Sequence, residues 1–264
     1  MDFNQLLQVA VSTAAEDKKK AMIMLESLIG KLEETGDRFS EYHSFSEPFD
    51  YMLYDYLNES AQKSKNIAEN FALLYKTYGD LLLDSGLFEE AASAFSKSMR
   101  WNPIDSDAAF SYAEACRQGG DYDRFRDITI EALNKAYRPL CLARGYRNLG
   151  ESFYHAEQYK EAAGCYILSL DYDPDSMEAQ SALDAIRREA GPDFREPEVE
   201  EMLTISGDNG FLIGANPDIV NLAMAYAKQA EEGGSPETAR YLLRIVYDLM
   251  EDEHIKTMID NLEK

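Results

Sequence analysis

Apolar side chains recur along most of this chain at spacings of three and four residues, the period of an α-helix with one buried face. The clearest stretches come in pairs, parted by short polar turns at residues 84–86, 119–121 and 156–158. Before the pairs, residues 6–15, 18–35 and Pro48–Leu57 read as helices, the last of them rich in aromatics (PFDYMLYDYL). After them, residues 177–190 (MEAQSALDAIRREA) read as a helix capping the third pair. A break follows at Gly191 and Pro192, with a glycine-bearing loop over 207–217. Residues 218–233 and 235–250 form another pair, with Ser235 and Pro236 as a helix start, and 253–262 make a last short helix. The predicted divisions are an N-terminal helical segment or cap (1–70), three paired repeats with their capping helix (71–190), a linker (191–217) and a C-terminal pair with a terminal helix (218–264).

Within the pairs, small and aromatic residues return at a fixed offset. Gly79, Ala91 and Pro103 recur as Gly150, Ala162 and Pro174, and Phe88 and Phe95 recur as Tyr159 and Tyr166, each 71 residues on. That offset is two repeats of 34 residues plus 3, and a middle repeat lies where it should: Tyr78 maps to Tyr112, Gly79 to Ala113, Gly86 to Gly120 and Phe88 to Tyr122. The three extra residues fall near 138–142, in the turn before the third repeat. A repeat of this length and grammar resembles the tetratricopeptide repeat, or TPR. The resemblance is carried by Tyr75, Tyr78, Gly79, Leu82, Ala91, Phe95 and Pro103 in the first repeat, and by Tyr146, Leu149, Gly150, Phe153, Tyr159, Ala162, Tyr166 and Pro174 in the third. The middle repeat departs from it. Phe125 stands at the second small position, Thr129 stands at an aromatic position, and no proline closes the repeat. The C-terminal pair is similar at Ala239, Leu243 and Val246 but lacks the glycine.

The resemblance implies an all-α fold, a right-handed superhelical solenoid of antiparallel helix pairs, each packed mainly on its neighbours. Physical chemistry agrees independently. A mid-helix glycine costs about 1 kcal/mol relative to alanine, so Gly79 and Gly150 need an offset. Close approach of the paired helix backbones is the expected one, with Ala91 and Ala162 facing the crossing and the aromatics filling the wider space between neighbouring pairs. Pro103 and Pro174 cannot continue a helix and mark the end of a repeat.

Composition narrows the function. A net charge of −23 repels nucleic-acid phosphates and anionic lipid, which argues against both as partners. Residues 191–264 hold 6 basic and 16 acidic side chains and are the most acidic quarter. Cys116, Cys141 and Cys165 are odd in number and lack metal-ligand spacing, so they read as small buried residues in a reducing compartment. No apolar run approaches the ~20 residues that span a bilayer, and no leader is evident, which makes the expected location cytoplasmic. His43, His155 and His254 show no metal-protease spacing, and residues 207–214 (GDNGFLIG) lack the lysine of a phosphate loop and read as a turn. Trp101, beside Pro103, reads as core packing at a repeat junction. No cofactor and no enzymatic activity are expected.

In TPR proteins the first helix of each pair lines a concave surface that takes a peptide or a helix. Here the outward positions include Lys76, Asp80 and Leu83 in the first repeat, Phe110, Glu114 and Arg117 in the second, and Arg144, Arg147, Asn148, Glu151, Tyr154 and His155 in the third. Lys76, Arg117, Arg144 and Arg147 would set four cations on one wall, with Phe110 and Tyr154 as aromatic footholds. Such a cluster suits an acidic stretch or a C-terminal carboxylate of a peptide. The opposite reading is that Asp80, Glu114 and Glu151 neutralise these cations within the groove. The two-carboxylate clamp of some TPR proteins is matched only at Lys76 and Arg144; Asp80 and Ser111 replace expected asparagines, and Asn148 replaces a basic residue. The expected function is a non-catalytic interaction adaptor. The alternatives are a self-associating scaffold or homo-oligomer, and a peptide-sensing regulatory module.

Overall fold

In the computed structural model the described residues are 2–58 and 64–263; Met1, residues 59–63 of the expected N-terminal segment, and Lys264 lie outside them. The described residues are all-α in class, with fourteen α-helices and strand confined to two dipeptides. The chain divides into two compact units, Met1–Phe125 and Arg126–Lys264.

The first unit begins with α1 (Phe3–Glu16) and α2 (Lys18–Glu33). Asp2 opens α1 by accepting from the Gln5 amide at 2.8 Å, while the Gln5 side chain accepts from the Asp2 amide at 3.1 Å. This reciprocal cap satisfies two amides that a helix start leaves over. A single Tyr42–His43 dipeptide (β1) pairs in parallel with Lys65–Asn66 (β2), a feature the apolar pattern did not predict. Between them lies α3 (Pro48–Leu57). Then come α4 (Phe71–Asp84), α5 (Phe88–Trp101) and α6 (Ser106–Gln118). Leu7, Ala10, Leu25, Leu28, Phe71, Leu74 and Trp101 form one apolar cluster, in which the Phe71 and Trp101 rings lie 4.8 Å apart. Trp101 is therefore a core residue, as the sequence suggested. The α3 helix is fixed by a buried polar contact: Asn102 Nδ2 donates to Asp50 Oδ2 at 2.8 Å.

Helices α4 and α5 run antiparallel, since Ser98 Oγ donates to the Ala72 carbonyl at one end while Phe95 meets Gly79 further along. A Cβ placed on Gly79 would come within 2.7 Å of the Phe95 ring. The missing side chain thus admits an aromatic ring of the paired helix rather than bringing two backbones together, and Phe95 fills its own pair rather than the space between pairs. The reason is geometric: a flat ring uses the whole depth that a glycine leaves. Ala91, also on α5, is fully buried.

Helix α7 (Tyr122–Leu133) straddles the division. The second unit continues with α8 (Pro139–His155), α9 (Tyr159–Tyr172), α10 (Met177–Glu189), α11 (Val199–Asn209), α12 (Pro217–Glu232), α13 (Pro236–Met250) and α14 (Glu253–Asn261). The α8–α9 pair repeats the device of α4–α5: a Cβ on Gly150 would lie 2.8 Å from the Tyr166 ring. Within residues 191–217, α11 packs on α9, where a Cβ on Gly164 would strike the Met202 sulfur. The turn after the first helix of each pair needs a left-handed residue. Gly86, Gly120 and Gly234 supply it, and Glu157 takes the same conformation with φ of 58°. Cys116 in the first unit and Cys141 and Cys165 in the second are buried free thiols.

Candidate functional site

The expected binding residues fall in both units. In the first, α4 presents Lys76, Asp80 and Leu83 half-buried, between packed positions Tyr75, Gly79 and Leu82. Lys76 Nζ lies 3.0 Å from Asp80 Oδ2, one helical turn away. On α6, Arg117 is held fork-to-fork by Glu114, with Nε to Oε2 at 2.8 Å and Nη2 to Oε1 at 2.7 Å, and Gln118 Nε2 adds a donor to the same carboxylate at 2.6 Å. Phe110 is 0% exposed. The expected aromatic foothold there is corrected to a core residue, because α6 is buried almost all round, from Ser106 through Cys116 apart from Asp107 and Glu114. Thr77 on α4 and Ser111 on α6 are buried as well.

In the second unit, α8 buries Gly145, Tyr146, Leu149, Gly150 and Phe153 and leaves Arg144, Arg147, Asn148, Glu151 and Tyr154 half-buried, with His155 exposed at its end. Arg147 has a side chain only 16% exposed; Nη1 lies 2.9 Å from Asp173 Oδ2 and Nε lies 3.4 Å from Glu178 Oε2. It ties α8 to the end of α9 and the start of α10. Tyr154 donates to Glu189 Oε1 at 2.7 Å, and that carboxylate bond raises the phenol's pKa. Glu151 accepts from the Tyr166 hydroxyl at 3.3 Å, while burial is the main cause that pushes the Tyr166 phenol far up. Asn148 Nδ2 is buried with no acceptor among the described residues.

Carboxylates thus meet the expected cations Lys76, Arg117 and Arg147, and the sequence foresees only half of those partners. Asp80 and Glu114 were foreseen on their own helices; Asp173 and Glu178 were not, because they belong to other elements and no spacing rule links them to α8. Among the described residues no group of three or more His, Cys, Asp or Glu side chains is placed to hold a metal ion, and no helix is long and apolar enough to cross a membrane.

The packing at Gly79–Phe95 and Gly150–Tyr166 makes these pairs TPR-like. No known protein family profile matches the chain, and no curated protein matches it. Several solved structures are similar, two of them as follows. The first TPR of Spaghetti, bound to the HSP90 peptide SRMEEVD, is 20% identical over 46% of this chain and 93% of its own, with a TM-score of 0.42. A tetratricopeptide repeat protein from Parabacteroides merdae is 11% identical over 99% of both chains, with a TM-score of 0.40. The helix-pair packing, rather than these distant likenesses, supports the TPR-like description.

Proposed function

We propose that this chain is a non-catalytic protein–protein interaction adaptor that holds a peptide or protein segment against the first helices of its TPR-like pairs. The observation that carries the reading is the second face of α8. One face is fully used by the core, and packing on one face is enough to hold a helix in its pair. The other gathers Arg144, Asn148, Glu151 and Tyr154 half-buried, with the Asn148 donor left without an acceptor among the described residues. A buried donor without a partner costs about 1–3 kcal/mol, a cost that a ligand carbonyl would offset after a small side-chain rotation.

The ligand class is a peptide whose acidic or C-terminal carboxylate segment meets Arg144 on the second unit, with Arg147 one helical turn on already held by Asp173 and Glu178. In the first unit Lys76 and Arg117 are already matched by Asp80 and Glu114, so that face offers paired charges to a peptide of mixed sequence. The test is selection of peptides from a random display library on the full chain, followed by affinity measurement on variants. Arg144→Glu and Tyr154→Ala should each weaken a selected peptide about tenfold, the size expected for interface anchors, with helical circular dichroism unchanged. Arg147 is unsuited to charge reversal, because a glutamate there would face Asp173 and Glu178. Binding unaffected by both variants overturns the assignment of this face.

A further inference from the structure

Residues 209–216 (NGFLIGAN) join α11 to α12 and lie as a strap across α8 and the ends of α7 and α9. They are gripped through their main chain. The Asn134 amide donates through Nδ2 to the Gly210 carbonyl at 2.9 Å and accepts through Oδ1 from the Leu212 amide at 3.0 Å. The Tyr146 hydroxyl donates to the Leu212 carbonyl at 2.9 Å and accepts from the Gly214 amide at 2.7 Å. Two side chains therefore read the backbone at alternate residues 210, 212 and 214. One strap side chain goes inward: Phe211 is 3% exposed, edge-on to Tyr146 and tilted against Phe153, with ring centroids 6.5 Å apart in both cases. Arg126 lies over the Phe153 ring at 4.4 Å and donates to the Asn209 side chain. Leu212 and Ile213 are 38% and 36% exposed.

This is how a peptide is held. An asparagine amide matched to a carbonyl and an amide of the same strand recognises a backbone whatever its sequence, and one aromatic pocket supplies the selectivity. We infer that this channel is a peptide-binding site, filled here by the chain's own strap, and that it takes in trans a segment carrying an aromatic anchor followed three residues later by glycine. The inference is independent of the α8 face proposed above, since the strap uses the buried Tyr146 and Phe153 and none of that face's polar residues.

The strap is releasable on physical grounds. Between its ends the Asn134 and Tyr146 side chains grip its main chain in place of a backbone ladder, Phe211 is the one apolar side chain it buries, Asn216 Nδ2 adds a bond to the Asn134 carbonyl at 2.9 Å at its far end, and its two glycines at positive φ, Gly210 and Gly214, allow it to straighten. Tethered at both ends, it competes at an effective concentration on the order of millimolar, so a free peptide binds weakly until the anchor is loosened.

The test uses a fluorescent synthetic peptide of residues 207–217 and the full chain. It should bind the Phe211→Ala protein at least tenfold more tightly than the wild type. Adding Asn134→Ala to that variant, or replacing the peptide's own phenylalanine by serine, should remove the gain. Equal affinity for wild type and Phe211→Ala, or binding indifferent to the peptide's phenylalanine, overturns the proposal. Should Phe211→Ala lose its helical signal, the wild type decides: excess peptide must speed hydrogen exchange at the Leu212 and Gly214 amides, and unchanged exchange there overturns it equally.

Discussion

Alanine at Gly79 and alanine at Gly30 are the same substitution in helices of the same unit, and the structure predicts opposite outcomes. Around Gly30, in α2, nothing lies within 4 Å of an added Cβ. Only the intrinsic preference acts there, and alanine is favoured by about 0.5–1 kcal/mol. At Gly79 the same preference is opposed by the Phe95 ring, whose Cε1, Cδ1 and Cζ would stand 2.7, 2.8 and 3.0 Å from the new methyl. Phe95 is fully buried and has no open side to swing into. Forcing an extra methyl into such a core costs about 1–3 kcal/mol, which leaves Gly79→Ala net destabilising by about 0.5–2 kcal/mol. The two variants should therefore differ by about 1–3 kcal/mol in urea unfolding. The chain's one tryptophan, Trp101, sits buried in this unit, so its emission follows the relevant transition. The cost of Gly79→Ala should shrink by at least about 0.5 kcal/mol in a Phe95→Leu background, since contacting residues couple. A Gly79→Ala protein as stable as Gly30→Ala would refute the claim that the glycine serves the ring.

Glu157 occupies a turn position where its counterparts are glycines, at φ of 58°. Glu157→Gly should stabilise the second unit by about 0.5–1 kcal/mol, read by circular dichroism in urea, and a loss of stability would show that the glutamate side chain matters more than the backbone strain. His43 is partly buried, and burial first, with Arg100 second, lowers its pKa below the ordinary 6.5. The unfolded chain then binds the proton first, so the stability due to neutral His43 is full above about pH 6.5 and is lost as pH falls through the folded value. His43→Gln should flatten that fall in the Trp101 unfolding midpoint between about pH 7 and 5; an unchanged slope would assign the fall to other groups.

The helix pairs were legible because their signals are local. A glycine in mid-helix, an alanine twelve positions on and an aromatic four beyond that are constraints of one hairpin, and α4–α5 and α8–α9 follow them closely. Spacing could also say which positions of α4 turn away from that hairpin, but not what else covers a helix. Phe110 shows the limit: its place in the repeat is outward, yet α6 is buried nearly all round. The strap was hidden for a related reason. Asn134 and Gly210 are 76 residues apart, and a side-chain amide bound to a backbone carbonyl leaves no trace in apolar periodicity. GDNGFLIG thus reads as a turn, although Phe211 within it is a core residue. The parallel β1–β2 pair escaped notice because two-residue strands carry no pattern at all.

The buried thiols have a kinetic consequence. Burial raises the pKa of Cys116 and pushes that of Cys165 far up, so neither presents a reactive thiolate while its surroundings stay closed. Modification by a soluble thiol reagent must wait for an opening. Cys116 belongs to the first unit and Cys165 to the second, so the native chain carries a separate clock in each. The two labelling rates, followed by mass spectrometry on the unaltered protein, report whether the units open together or one at a time.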